Sequence, residues 1–153
     1  MAKTQSYELL LRQLEGLLAP QDDSVANMAN MAAVLFHGLP DVNWAGFYVL
    51  RGDTLLLGPF QGKPACVKIP VGKGVCGTSA QTGQTQRVEN VHQFPGHIAC
   101  DSASNSELVI PIFKGNCLWG VLDMDSPVLA RFDETDQKYL EKAVRTFEQY
   151  THL

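Results

Sequence analysis

The sequence predicts an α+β domain: a central antiparallel β-sheet of about six strands, with N- and C-terminal helices packed on one face. Three observations carry the prediction. Apolar residues recur every three or four positions at both ends of the chain, and that period drops towards two in the middle. The middle strands also arrive as hairpins with Gly-containing turns, which makes neighbours antiparallel. Amphipathic helices outside such a run must bury their apolar stripes against the sheet.

The elements follow in order. Tyr7, Leu10, Leu11, Leu14, Leu17 and Leu18 place one helical face on Thr4–Leu18, and Pro20 stops the helix. Ser24 is the expected cap of a second helix, in which Met28, Met31, Ala32, Leu35 and Phe36 repeat the pattern up to Gly38. Asn43–Leu50 and Thr54–Phe60 flank Arg51-Gly52-Asp53 as a hairpin, and Ala65–Val71 is a third strand. Gly72-Lys73-Gly74-Val75-Cys76-Gly77 is a glycine-rich turn before a short helix, Thr78–Thr82. Gln86–Asn90 is a brief strand, followed by a long loop through Asn105. Glu107–Phe113 and Cys117–Asp125 form a second hairpin around Lys114-Gly115-Asn116. Asp133, with Asp136 three residues on, opens the last helix with a capping box, and that helix runs to about Thr151.

Composition narrows the function classes. The 153 residues, 45% hydrophobic and 18% charged, fit one domain (1–153) that buries a core without disulfide staples. A net charge of -4 with scattered Lys and Arg argues against a nucleic-acid partner. No apolar run approaches the roughly 20 residues that cross a bilayer, so no membrane partner is expected. The N-terminus lacks a signal-peptide core, and a cytoplasmic location is expected. In that reducing setting the four cysteines read as free, catalytic or metal-bound.

Three of them, Cys66, Cys76 and Cys100, stand in loop-like stretches flanked by Gly and Pro. Cys100 is followed by Asp101, Ser102 and Ser104 in a loop with abundant donors, and has the strongest case for reactivity. Cys76 reads either as core or as a low-pKa thiol, and Cys117, beside Leu118 and Trp119, as a small core residue. No CxxC is present, and His37, His92, His97 and His152 have no zinc-like spacing. Gly72-x-Gly74-x-x-Gly77 lacks the acidic ribose partner of a dinucleotide site. Its backbone amides suit an anion such as a carboxylate. Neither a metal nor an organic cofactor is expected.

Carboxylates add a second pole. Asp123 and Asp125 share one strand face, with Trp119 and Val121 by alternation. A solvated strand end accounts for them equally well. With a three-residue loop at Lys114-Gly115-Asn116, Phe113 pairs with Cys117 and Glu107 falls opposite Asp123. A two-residue loop would send Glu107 to the other face. The first register gathers three acids, which calls for a cation among them or a shared proton. An amino acid's ammonium group is such a cation.

The helix-flanked sheet and Arg131-Phe132-Asp133-Glu134-Thr135-Asp136 resemble the GAF domain. Four stretches resemble, more narrowly, the free methionine-R-sulfoxide reductases. They are Asn43–Tyr48, Leu57–Cys66 running on to Gly74-Val75-Cys76-Gly77, Gly96–Glu107, and Gly120–Ser126. The resemblance implies a thiol-dependent reductase of free L-methionine-(R)-S-oxide. Cys100 matches the catalytic cysteine, Cys66 the resolving cysteine that forms a disulfide with it, and Cys76 an auxiliary thiol. Glu107, Asp123 and Asp125 match the acidic substrate-binding group, with Glu107 or Asp125 as proton donor. Trp44 and Tyr48 match the aromatic wall around the methyl sulfoxide end. The implied partners are free methionine-R-sulfoxide, its product methionine, and a thioredoxin-type reductant. A GAF-type module sensing a small ligand or redox state is the rival reading.

Overall fold

Two helices open the chain, α1 (Lys3–Leu18) and α2 (Ser24–Gly38), in a computed structural model that describes residues 2–97 and 103–153. Then come β1 (Trp44–Arg51), β2 (Thr54–Gly62), β3 (Lys68–Pro70), α3 (Gly74–Thr82), β4 (Gln86–Val88) and a 3₁₀ turn at Val91–Gln93. The chain ends with β5 (Ser106–Lys114), β6 (Cys117–Ser126) and α4 (Glu134–Tyr150). The six strands form one antiparallel sheet in the order β3-β2-β1-β6-β5-β4. No helix among the described residues is long and apolar enough to cross a membrane.

Helical periodicity decides what the outer helices bury. α1 turns Tyr7, Leu10, Leu14 and Leu18 inward, a stripe with spacings of three and four, and leaves Leu17 exposed. The cap of α2 is Asp23 rather than the expected Ser24: its carboxylate accepts the Ala26 amide at 2.9 Å, and Ser24 is already the first helical residue. α4 begins with the expected reciprocal box, Asp133 accepting the Asp136 amide at 3.0 Å and donating its own amide to Asp136 at 2.8 Å. Asp136 does more than cap. Fully buried, it also accepts from Lys3 at 2.7 Å, from Arg131 at 3.2 Å and from the Tyr7 hydroxyl, tying α1 to α4.

Strand alternation then divides the molecule into two cores. Ala45, Phe47 and Val49 of β1, Leu108, Ile110 and Ile112 of β5, and Leu122 and Met124 of β6 face α1, α2 and α4. The intervening residues, among them Trp44, Tyr48, Val109 and Val121, face the other way and pack with Val75 and Cys76 of α3. The N- and C-terminal helices therefore share one face. The other face is covered by one short helix and connecting segments, which leaves room for a cavity.

The β5–β6 hairpin departs from its expected register. Lys114 pairs with Cys117 around a two-residue turn in which Gly115 takes φ 62, the glycine-favouring conformation such turns need. Continued unbroken, that register would place Glu107 opposite Met124, on the helix-covered face. A bulge intervenes: Phe113 pairs with Leu118 but Ile112 with Gly120, leaving Trp119 unopposed. The extra residue restores the parity, and Glu107 falls opposite Asp125 rather than Asp123. It also carries Trp119 out of the alternation. Instead of sharing a face with Val121, its ring packs against Phe147 of α4 at 5.9 Å.

Two shorter differences bear on the site. The third strand is confined to Lys68–Pro70, and Cys66 lies in the segment ahead of it. The short helix begins at Gly74, four residues earlier than expected, so Cys76 sits in its first turn and not in a loop.

Candidate active site

The acids converge as the sequence reading required, by a different register. Glu107 and Asp125 are cross-strand partners, and Asp123 lies one pleat further along β6 on the same face. β1 runs along the other side of β6, pairing Trp44 with Asp125 and Gly46 with Asp123. Gly46 is required by close approach: a Cβ there would lie 2.3 Å from the Phe60 Cβ and 2.9 Å from the Trp44 ring. Without that glycine Phe60 could not stack on Trp44, where the ring centroids stand 5.1 Å apart.

A cavity of about 40 Å³ lies over this patch. Glu107, Asp123 and Asp125 form its floor, Trp44 and Tyr48 one side, Pro64 and Ala65 its roof, and the start of α3 from Lys73 to Cys76 the far side. The aromatic pair does two jobs. Trp44 and Tyr48 line the cavity with centroids 6.0 Å apart, and their polar ends hold the roof. Trp44 Nε1 donates to the Lys63 carbonyl at 3.0 Å, and the Tyr48 hydroxyl to the Cys66 carbonyl at 2.8 Å. Cys66 is half-buried and disulfide-bonded, while Cys76 and Cys117 are free thiols. Cys100, the expected nucleophile, lies outside the described residues, as do Asp101 and Ser102.

Burial and like charge dominate the electrostatics. Glu107, 8% exposed, has its carboxyl pushed well above the usual range, by burial first and then by Asp123 and Asp125. Burial also raises Asp123, although hydrogen bonds from Glu107, Cys76 and Asp125 pull the other way. The Cys76 thiol is raised by burial and by the same acids, Asp123 foremost. Its Sγ stands 3.9 Å from Glu107 Oε2. This is the opposite of an activated thiol: the helix-start position would lower the pKa, and burial overrides it. Asp123 Oδ1 is buried with no hydrogen-bond partner among the described residues.

The glycine-rich turn contributes differently from expectation. The Gly72 amide donates to the Gly77 carbonyl at 2.8 Å and the Gly77 amide to the Lys73 carbonyl at 2.9 Å, so these two close the turn itself. The amides left for an anion are those of Gly74, Val75 and Cys76, which as the first turn of α3 have no acceptor within the helix. Two cavity residues were not among the expected catalytic or substrate-binding residues. His97, its pKa lowered by burial and by His92, faces the acids, and Ser104, 7% exposed, sits within 3.5 Å of Asn43. Both belong to the polar run around Cys100, and that proximity was the available signal.

Fold and site together define a class. The GAF domain profile matches residues 15–150, and the chain belongs to that family. Within it, the chain is 52% identical over 149 residues to the free methionine-R-sulfoxide reductase of Escherichia coli, covering 97% of this chain and 90% of that one. It is 45% identical over 152 residues to the free methionine-R-sulfoxide reductase of Saccharomyces cerevisiae, covering 94% and 84%. The crystal structure of free methionine-R-sulfoxide reductase from Neisseria meningitidis, in complex with its substrate, superposes with a TM-score of 0.95 at 45% identity. That superposition covers 98% of this chain and 90% of the other. By these relations the chain is a member of the free methionine-R-sulfoxide reductases within the GAF family.

Proposed function

We propose that this chain reduces free L-methionine-(R)-S-oxide to L-methionine, using Cys100 as nucleophile and Cys66 as resolving thiol. The observation that carries the reading is the acidic trio of buried Glu107 and Asp123 with half-buried Asp125, facing an aromatic wall beneath a segment whose cysteine is disulfide-bonded. Similarity to reductases named for this substrate supports it.

The substrate's ammonium sits among the acids and its carboxylate at the first-turn amides of α3, leaving the sulfoxide against Trp44 and Tyr48. The Cys100 thiolate attacks the sulfoxide sulfur while Glu107 or Asp125 gives a proton to the oxygen. The Glu107 carboxyl, pushed well above the usual range by burial and by Asp123 and Asp125, suits that step. The S–S bond made in that attack and the S–O bond of the substrate both break as the oxygen passes to the Cys100 sulfur, so methionine leaves and Cys100 is left as a sulfenic acid. The Cys66 thiol then displaces that oxygen as water and forms a disulfide with Cys100. A cytoplasmic dithiol of the thioredoxin type takes up the oxidation in turn. Cys76, held protonated, stays out of the first step and acts as an auxiliary thiol only in later exchange.

The disulfide-bonded form is then the closed one. A cavity of about 40 Å³ holds a few waters. It falls far short of the roughly 300–1,000 Å³ of small-molecule sites. Reduction frees the Cys66 segment and admits substrate. Peptide-bound methionine sulfoxide is refused, because its amide nitrogen carries no charge for the acids. Turnover of separated R and S epimers with a dithiol reductant tests the reading. Wild type should consume only the free R epimer, and Cys100→Ser should consume neither. Activity retained in Cys100→Ser overturns the assignment, and binding without turnover in wild type would favour the sensing reading.

A further inference from the structure

We propose that the acidic floor, together with the Cys76 thiol, forms a binding site for a thiophilic divalent cation of the Zn²⁺ class. One ligand atom each from Cys76, Glu107 and Asp123 lies within 4.8 Å of the other two, and all three residues are buried. Two carboxylates alone would be an acidic cluster and nothing more. Here a sulfur joins them from a different element, α3 against β5 and β6, so the ligands converge from three directions on one point.

A second observation points into the same space. Asp123 is 6% exposed, and its Oδ1 has no hydrogen-bond partner among the described residues while its side chain lines the cavity. A buried oxygen without a partner is costly, and a cation removes that cost. The room is right as well: about 40 Å³ takes a partly dehydrated ion with a water, though not an amino acid. Zn–S and Zn–O bonds of about 2.3 and 2.0 Å place tetrahedral ligands roughly 3.5 Å apart, so the cluster closes on the ion by about 1 Å through side-chain rotation.

The donor set selects the metal. Thiolate with carboxylate suits Zn²⁺, whereas Mg²⁺ and Ca²⁺ prefer oxygen alone. Binding forms an S–metal bond in place of the S–H bond of Cys76, and the proton goes to solvent. Asp125 or His97, both lining the cavity, or water supplies the fourth position. The consequence rests on the reductase reading: the ion occupies the oxygens that the substrate's ammonium needs, so the pocket accepts one or the other.

Direct binding tests the site without any turnover, which keeps its failure separate from that of the reductase assignment. With the Cys66 disulfide intact, Zn²⁺ is titrated against a chromophoric chelator, and Co²⁺ is added to a second sample for its spectrum. One Zn²⁺ per chain is expected, together with a thiolate-to-Co²⁺ charge-transfer band. Cys76→Ser and Asp123→Asn should each weaken binding by more than about 10–100-fold, the range that loss of a mere supporting partner of a metal ligand covers. Cys117→Ser, at the exposed thiol, should change nothing. Undiminished binding in Cys76→Ser overturns the proposal, as does loss of binding in Cys117→Ser. Should Cys76→Ser fold poorly, the wild-type Co²⁺ spectrum decides: bound Co²⁺ without a thiolate band, or no saturable binding, overturns it equally.

Discussion

Replacing Glu107 by Gln should make the protein more stable at pH 8 and far less active. Both effects come from the same buried charge. Glu107 and Asp123 carry ligand atoms within 4.8 Å of each other, and an ionised pair at that distance costs about 3.5 kcal/mol at an effective dielectric of 20. The site avoids part of this by keeping a proton: burial and like charge raise the Glu107 carboxyl, and burial raises that of Asp123. A folded-state pKa above the unfolded value of about 4 means that the native state holds a proton the unfolded chain releases. The resulting stabilisation is complete below about pH 4 and is lost as pH rises through the raised folded values. Gln has no charge to bury, so the variant escapes that loss. Its gain over wild type should be near zero at pH 4 and should grow to about 3.5 kcal/mol at pH 8, or roughly 7–14 °C in Tm. Thermal unfolding of both proteins across pH 4–8, with the Cys66 disulfide intact, measures this. Turnover of free methionine-R-sulfoxide should fall by about 10²–10⁴-fold if Glu107 is the proton donor. A Tm difference independent of pH, or a variant less stable than wild type at pH 8, refutes the account of the acidic floor.

Two further substitutions probe the frame around the site. Asp136→Ala strips the buried acceptor shared by Lys3, Arg131 and Tyr7 and should cost about 3–5 kcal/mol, lowering Tm by roughly 6–20 °C. An unchanged Tm would mean that α1 and α4 hold together by apolar packing alone. Tyr48→Phe keeps the ring in the cavity wall but removes the 2.8 Å bond to the Cys66 carbonyl. That bond is worth about 0.5–1.5 kcal/mol, so small thiols should reduce the Cys66 disulfide about 2–12-fold faster. An equal rate, followed by release of free thiol, would show that the roof is held by something else.

Local chemistry made most of the frame legible. The stripe Tyr7, Leu10, Leu14 and Leu18 and the Asp133–Asp136 box depend on residues at most four positions apart, and both stand as read. What was not legible depends on choices between near neighbours or on distant partners. Asp23 and Ser24 are both good caps, and only backbone geometry selects the first. Cys76 carried two opposed signals, a helix start that lowers a thiol's pKa and burial that raises it. The second prevails because β5 and β6 bring acids from 31 and 47 residues away. Trp44 and Tyr48 were placed on the right face by alternation. That their polar ends pin the Cys66 segment depends on Lys63 and Cys66 folding back over β1, which no periodicity encodes.

The hairpin between β5 and β6 is where a local rule and the site most nearly conflict. Gly115-Asn116 favours the tight two-residue turn, and that turn taken alone sends Glu107 among the helices, where an unpaired carboxylate beside Leu108 and Met124 would be intolerable. The chain resolves the conflict by spending one residue, Trp119, outside the ladder. Trp119 suits that position because an unopposed residue is free to swing towards α4, and a large ring against Phe147 recovers apolar burial for the lost pairing. Next to it, Gly120 allows β1 to approach; a Cβ there would come 2.3 Å from the Tyr48 carbonyl oxygen. The bulge therefore fixes two things at once, the face on which Glu107 stands and the path of β6 beside the strand that carries Trp44 and Tyr48. A three-residue loop without a bulge has the same parity, and for that reason the convergence of acids could be read from sequence although the route to it could not.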